Sequence, residues 1–150
     1  MDGVLIDSEK HWEPMENEYF STIIPDWSPD KHHALVWLGL KRLYAYFKEH
    51  FDIRVSKESL EEEVSHIAHH IYETQCSLIP GVSETLEILK KENKKLWLVS
   101  SAKREWIDTI LERFNLKDVF DLTLSSHEIS GAGKPAPDVY LHAASLVWTG

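Results

Sequence analysis

The chain opens Met1-Asp2-Gly3-Val4-Leu5-Ile6-Asp7-Ser8-Glu9, an apolar triplet set between two acidic turn segments. Three consecutive aliphatic residues bounded by Asp2-Gly3 and Asp7-Ser8 predict a short buried strand over Val4–Ile6 that ends in a polar turn. A buried strand at the front of a chain needs neighbours, and the second half of the sequence offers them. After Pro80-Gly81-Val82 the pattern alternates between helix and strand. The spacing predicts a helix over Ser83 to Glu92, a strand over Lys95 to Val99, a helix over Lys103 to Phe114 and a turn at Asn115. A short strand near Phe120 to Leu124, a loop at Gly131-Ala132-Gly133 and a helix over Pro137 to Val147 follow. Strands that alternate with helices predict a parallel sheet with crossover helices.

Between these parts the sequence changes character. From Lys10 to Ile79 apolar and aromatic residues recur at helical intervals, broken by Pro25-Asp26-Trp27-Ser28-Pro29-Asp30. Helices are expected at about Trp12–Ile24, Leu40–His50 and Ser56–Cys76, with Ser56 supplying helix-start chemistry. Glu61-Glu62-Glu63 fits the early turns of the last, where the helix dipole favours carboxylates, and reads as a solvated face. The expected organisation is therefore residues 1–9 and 80–150 as an α/β core and 10–79 as a helical insert.

Composition narrows the function classes. With 43% hydrophobic residues in 150 the chain can bury a core. A formal charge of −9 and scattered basic residues argue against general affinity for nucleic acid or anionic membrane. No charged-then-apolar leader or run of about 18 apolar residues is present, so a cytoplasmic location is the expectation. The single cysteine, Cys76, cannot close an intrachain disulfide and reads as a small buried side chain. His32-His33 and His69-His70 are expected at the surface, because adjacent helical residues point about 100° apart and no ligand-spaced partner completes a metal site.

Two further segments carry chemistry. Ser100-Ser101 closes an apolar strand at the sheet edge where α/β proteins bind ligands, and the next helix brings its free N–H groups there. A serine in that place is either a helix cap or a phosphate contact, and it can be both. In Lys134-Pro135-Ala136-Pro137-Asp138 two prolines stiffen the approach to a helix and hold Lys134. Alone, Lys134 would read as a solvated loop lysine, and Asp138 reads as a helix cap.

Together these segments resemble three motifs of the haloacid dehalogenase-like hydrolases. Asp2 to Ser8 resembles the end of Asp-x-Asp-Gly-(Val/Thr)-(Leu/Ile)-x-Asp-(Ser/Thr), the strand ending in Ser100 resembles the second motif, and Gly133-Lys134-Pro135-Ala136-Pro137-Asp138 resembles the third. With the return at Pro80-Gly81-Val82, the chain is most similar to the beta-phosphoglucomutase-like phosphatases and mutases. The resemblance implies a doubly wound, Rossmann-like parallel core with a helical cap. It also implies a Mg²⁺-dependent phosphoric monoester hydrolase that works through an aspartyl-phosphate on a small phosphorylated metabolite such as a sugar phosphate. Asp2 would be the general acid and base and, through its carbonyl, a Mg²⁺ ligand; Ser100 and Lys134 would steady the phosphate.

Glu9, His11, Lys41, Arg42 and Ser101 would face the substrate, with His11 one position before the place, Trp12, where relatives often carry a histidine. The family's nucleophile would sit one residue before Met1, and its fourth, acidic motif does not follow Lys134 within these residues. Met1 is thus expected to be internal to a longer reading frame, the core to be incomplete at both ends and these 150 residues alone to be inactive. A monomer is expected. A sugar phosphomutase would use the same residues, and a non-catalytic module that binds phosphorylated ligands or a partner is the rival of another class.

Overall fold

The structure is a computed structural model that describes residues 1–35, 40–131, 134 and 136–147. It divides into two compact units: Glu9–Ile71, and Met1–Ser8 together with Tyr72–Gly150. The first division falls one residue, and the second eight residues, before the positions expected from the sequence.

The Glu9–Ile71 unit is helical. It comprises α1 (Glu9–Ile23), a 3-10 turn (Pro29–Ala34), α2 (Leu40–His50) and α3 (Lys57–His70). Its core follows from spacing: Phe20 and Ile24, Leu43 and Phe47, and Leu60 and Val64 are pairs four residues apart, and all six are buried in one cluster. The rings of Phe20 and Phe47 meet edge to face at 4.9 Å, and Trp27 approaches Phe20 in the same way at 5.2 Å. Ser56 caps α3 as expected, its hydroxyl accepting the Ser59 N–H at 3.1 Å. His32 departs from expectation, being only 3% exposed. The 3-10 turn lays its ring beside Phe20, and Nε2 lies 2.7 Å from Glu16 Oε2, whose carboxyl is pushed up by burial.

The other unit is α/β. A π-helical turn, Ile71–Gln75, leads into it, followed by α4 (Val82–Lys91), β1 (Trp97–Ser100), α5 (Arg104–Arg113), β2 (Leu122–Ser125), a 3-10 turn (Ser126–Glu128) and α6 (Asp138–Val147). The strands pair in parallel, Trp97 with Leu122 through Ser100 with Ser125, and α5 makes the crossover. Leu124, Val139 and Ala143 form a buried cluster behind them, and Ile107, Ile110 and Leu111 bury the inner face of α5. Among the described residues the sheet has these two strands.

The opening segment is not the expected strand. Residues 3–5 form a turn in which the Gly3 N–H bonds to the Ile6 carbonyl at 2.9 Å and the Leu5 N–H to the Met1 carbonyl at 2.8 Å. Gly3 takes φ +65°, a conformation that disfavours other residues, and this lets the chain fold back at once. The triplet therefore splits: Leu5 and Ile6 are buried, while Val4 is 68% exposed. The return segment supplies the missing partners, since Asp7 N–H bonds to the Ser77 carbonyl, Ile79 N–H to the Leu5 carbonyl, and Ile6 bridges Leu78. Residues 72–79 thus belong with the core, which corrects the expected boundary at Ile79. The third helix is α-helical to His70 and continues as the π-helical turn to Gln75, close to its expected end at Cys76. No described helix is long and apolar enough to cross a membrane.

Cys76 is fully buried, and burial is the main cause of its raised thiol pKa. Exchange with the disulfide 5,5′-dithiobis(2-nitrobenzoate) at pH 8, which releases 5-thio-2-nitrobenzoate, is expected to label it only slowly in the folded chain and promptly in 6 M guanidinium chloride. Equal rates in the two conditions would contradict this burial.

Candidate phosphate-binding and acid–base site

The carboxyl end of β1 is built by its loop. Ser100 is buried, and its hydroxyl accepts the Ala102 N–H at 3.2 Å. This local bond holds the loop, whereas the residue at the N-cap of α5 is Lys103, with no side-chain cap. Ser100 is thus not the cap of α5. From the neighbouring strand the Ser125 hydroxyl donates to the Ala102 carbonyl at 2.6 Å, and His127 Nε2 lies 3.1 Å from the Ser101 carbonyl.

Arg104 locks the arrangement. It binds Glu128 through Nε at 2.8 Å and Nη2 at 2.6 Å, and reaches Thr123 Oγ1 and the Thr123 carbonyl at 2.9 Å each. Glu128 also accepts the Ser125 N–H, completing a capping box. The Ser-x-x-Glu spacing at 125–128 is a local signal for this feature that the sequence reading passed over.

Lys134 comes to the same strand end. Its Nζ donates to the Val99 carbonyl at 3.0 Å and lies 5.3 Å from the Tyr140 ring centroid. Gly131 packs close to the start of α6, where a Cβ would approach Asp138 Oδ2 to 3.0 Å, and Asp138 opens that helix. Ala132, Gly133 and Pro135 of the expected third motif lie outside the described residues.

Asp2 sits in the opening turn, partly exposed. Its Oδ1 accepts two hydroxyls, from Ser8 Oγ at 2.7 Å and from Tyr72 OH at 2.9 Å. The Tyr72 ring centroid lies 5.6 Å from that of Trp106 on α5, and Lys103 Nζ lies over the Trp106 ring, 5.0 Å from its centroid. Arg113 at the end of α5 donates to the Tyr72 carbonyl at 2.8 Å and the Thr74 carbonyl at 3.2 Å. Tyr72 and Arg113 were not legible as site residues, because the first lies 70 positions from Asp2 and neither belongs to a recognisable motif.

The structure therefore gathers Ser100, Ser101 and Lys134 at one strand end and joins Asp2 to the flank of α5 through Tyr72. Glu9 and His11 stand in the first turn of α1, and Arg42 near the start of α2, all in the helical unit. The side chain of Lys41 lies outside the described residues.

Mg²⁺, the ion implied by the motif resemblance, needs several oxygen ligands. Among the described residues no group of three or more His, Cys, Asp or Glu side chains could hold a metal ion. These residues do not by themselves form a complete Mg²⁺ site.

Comparison with known proteins agrees with the motif reading. The sequence matches the family described as haloacid dehalogenase-like hydrolase over residues 1–146. It is 29% identical to hexitol phosphatase B of Escherichia coli K12, covering 97% of this chain and 66% of that protein. It is 26% identical to the phosphorylated carbohydrates phosphatase of Thermotoga maritima, covering 94% and 65%. The chain thus spans slightly less than two thirds of these relatives. A solved Thermotoga maritima structure, provisionally identified as a beta-phosphoglucomutase, matches with a TM-score of 0.78 at 25% identity, covering 97% of this chain and 67% of that one. CbbY from Rhodobacter sphaeroides, solved with phosphate, shares the fold with a TM-score of 0.76 at 19% identity, covering 97% and 68%. With the family profile matched over nearly its whole length, this chain belongs to the haloacid dehalogenase-like hydrolases.

Proposed function

We propose that these residues carry the phosphate-binding and proton-transferring part of a phosphoric monoester hydrolase for a small phosphorylated sugar or similar metabolite. The observation that carries the reading is the Lys134 ammonium, held 3.0 Å from the Val99 carbonyl and so beside Ser100 at the carboxyl end of β1. A cation and a hydroxyl at that edge, next to a helix start, suit a phosphoryl group. The two relatives described as phosphatases of hexitols and of phosphorylated carbohydrates support the substrate class.

In the proposed reaction an aspartate, at the family's position two residues before Asp2, attacks phosphorus, and the bond to the leaving oxygen breaks. Asp2 gives that oxygen its proton, then takes one from the water that hydrolyses the aspartyl-phosphate. Ser100 and Lys134 hold the phosphoryl oxygens, and Ser101, Glu9, His11, Lys41 and Arg42 are proposed substrate contacts. Mg²⁺ is the proposed cofactor of the native protein, with Asp2 contributing one oxygen. The protein is proposed to work as a cytoplasmic monomer.

The test is phosphate binding by the 150-residue chain, followed by calorimetry with inorganic phosphate. Ser100→Ala and Lys134→Ala are each expected to weaken it by about tenfold, the size of one hydrogen bond to a charged group. The unaltered chain is expected to show no turnover of p-nitrophenyl phosphate, with or without Mg²⁺. Parental affinity in both variants would rule out the site, and turnover by these residues alone would rule out the proposed nucleophile.

A further inference from the structure

We infer that Tyr72 is a positioning residue for Asp2, turning its carboxylate so that Oδ2 is the oxygen presented to the leaving group and to water. The inference rests on the acid–base role proposed above for Asp2. Its evidence is the arrangement of donors. Both hydroxyls that reach the carboxylate, from Ser8 and Tyr72, converge on Oδ1, and among the described residues Oδ2 accepts none.

The terminal torsion of an aspartate is broad, so one donor leaves the group free to rock. Two donors from different directions on a single oxygen fix the plane of the carboxylate. A general acid must stand within hydrogen-bond reach of the atom it protonates, and such fixing reduces the reorganisation that this requires.

Tyr72 is itself held. It is 2% exposed, its ring lies against Trp106, and its carbonyl is tied to Arg113. It lies in the π-helical turn, a backbone form frequent at functional sites. Its place in the chain is also informative. Ser8 is the last residue before the helical unit and Tyr72 the first after it, so the two connections are fastened to the same carboxylate oxygen.

Tyr72→Phe keeps the ring against Trp106 and removes only the hydroxyl. In the native protein that carries this sequence, with p-nitrophenyl phosphate, it is expected to lower kcat about tenfold, the loss of one charge-assisted hydrogen bond, and to leave KM within about twofold. A residue that serves only to fill space would change neither. An independent reading uses the 150-residue chain labelled with ¹³C at aspartate carboxyls. The Asp2 resonance, identified by its loss in Asp2→Asn, is expected to move in Tyr72→Phe at fixed pH while that of Asp138 stays.

Parental kcat and KM in Tyr72→Phe, with Asp2→Asn inactive, would overturn this inference and leave the proposed function standing. An unmoved Asp2 resonance, or a change confined to KM, would also overturn it. Full activity in Asp2→Asn would instead remove the acid–base role and this inference with it. Ser8→Ala takes the other donor from Oδ1 and is expected to lower kcat in the same sense; should Tyr72→Phe not fold, parental kcat in Ser8→Ala would overturn the inference.

Discussion

Asp2→Asn in the native protein is expected to slow turnover of a phosphate ester by about 10²–10⁴-fold, the usual contribution of general acid–base catalysis. The substitution is close to isosteric, and an amide oxygen can still accept from Ser8 and Tyr72, whose hydroxyls lie 2.7 and 2.9 Å from Oδ1. What is lost is the capacity to carry a proton. Phosphate affinity, which the proposal assigns to Ser100 and Lys134, is expected to change little. Steady-state kinetics with p-nitrophenyl phosphate, beside calorimetry with inorganic phosphate, separates the two effects. A parental rate would remove Asp2 from the chemistry.

Phe47→Ala is expected to cost about 3–5 kcal/mol, as truncation of a buried aromatic ring usually does. Phe47 is fully buried, and its ring lies 4.9 Å from Phe20, 6.1 Å from Trp27 and 6.0 Å from Phe51. These contacts draw on α1, the turn after it and α2 together, so the void cannot be closed by moving one helix. The loss is a large fraction of the roughly 5–15 kcal/mol that stabilises a typical domain. Urea unfolding of the intact chain, followed by tryptophan fluorescence because Trp27 belongs to the same cluster, would measure it. A shift worth less than about 1 kcal/mol would show that this aromatic cluster does not hold the helices together.

The candidate site was legible in uneven parts. Ser100 and Lys134 could be placed because each is announced locally, one by the end of an apolar strand and the other by flanking prolines. Neither signal gives their proximity, which arises because Lys134 reaches back 35 residues to the carbonyl of Val99, the residue before Ser100. Tyr72 had no local announcement at all, since a tyrosine near the end of a helical segment is ordinarily a packing residue. Only its arrival beside Asp2 gives its hydroxyl a task.

The sequence by itself determined the helices and the parallel pairing. Leu43 and Phe47 sit one turn apart, so α2 runs from Leu40 to His50 as expected, and Ser56 stops the preceding chain with its own hydroxyl. Strand, crossover helix and strand in succession likewise dictated that β1 and β2 lie parallel. These are consequences of short-range spacing. The tertiary structure decided what spacing cannot encode, namely which distant group satisfies a given polar atom. It made residues 3–5 a turn and set Ile6 in a bridge, because Ser77, Leu78 and Ile79 arrive to take the backbone bonds of residues 5–7, and it buried His32 because Glu16 stands ready to receive it. It also brought Tyr72 across 70 residues to Asp2, because a buried hydroxyl must find an acceptor and the carboxylate is the one the fold provides.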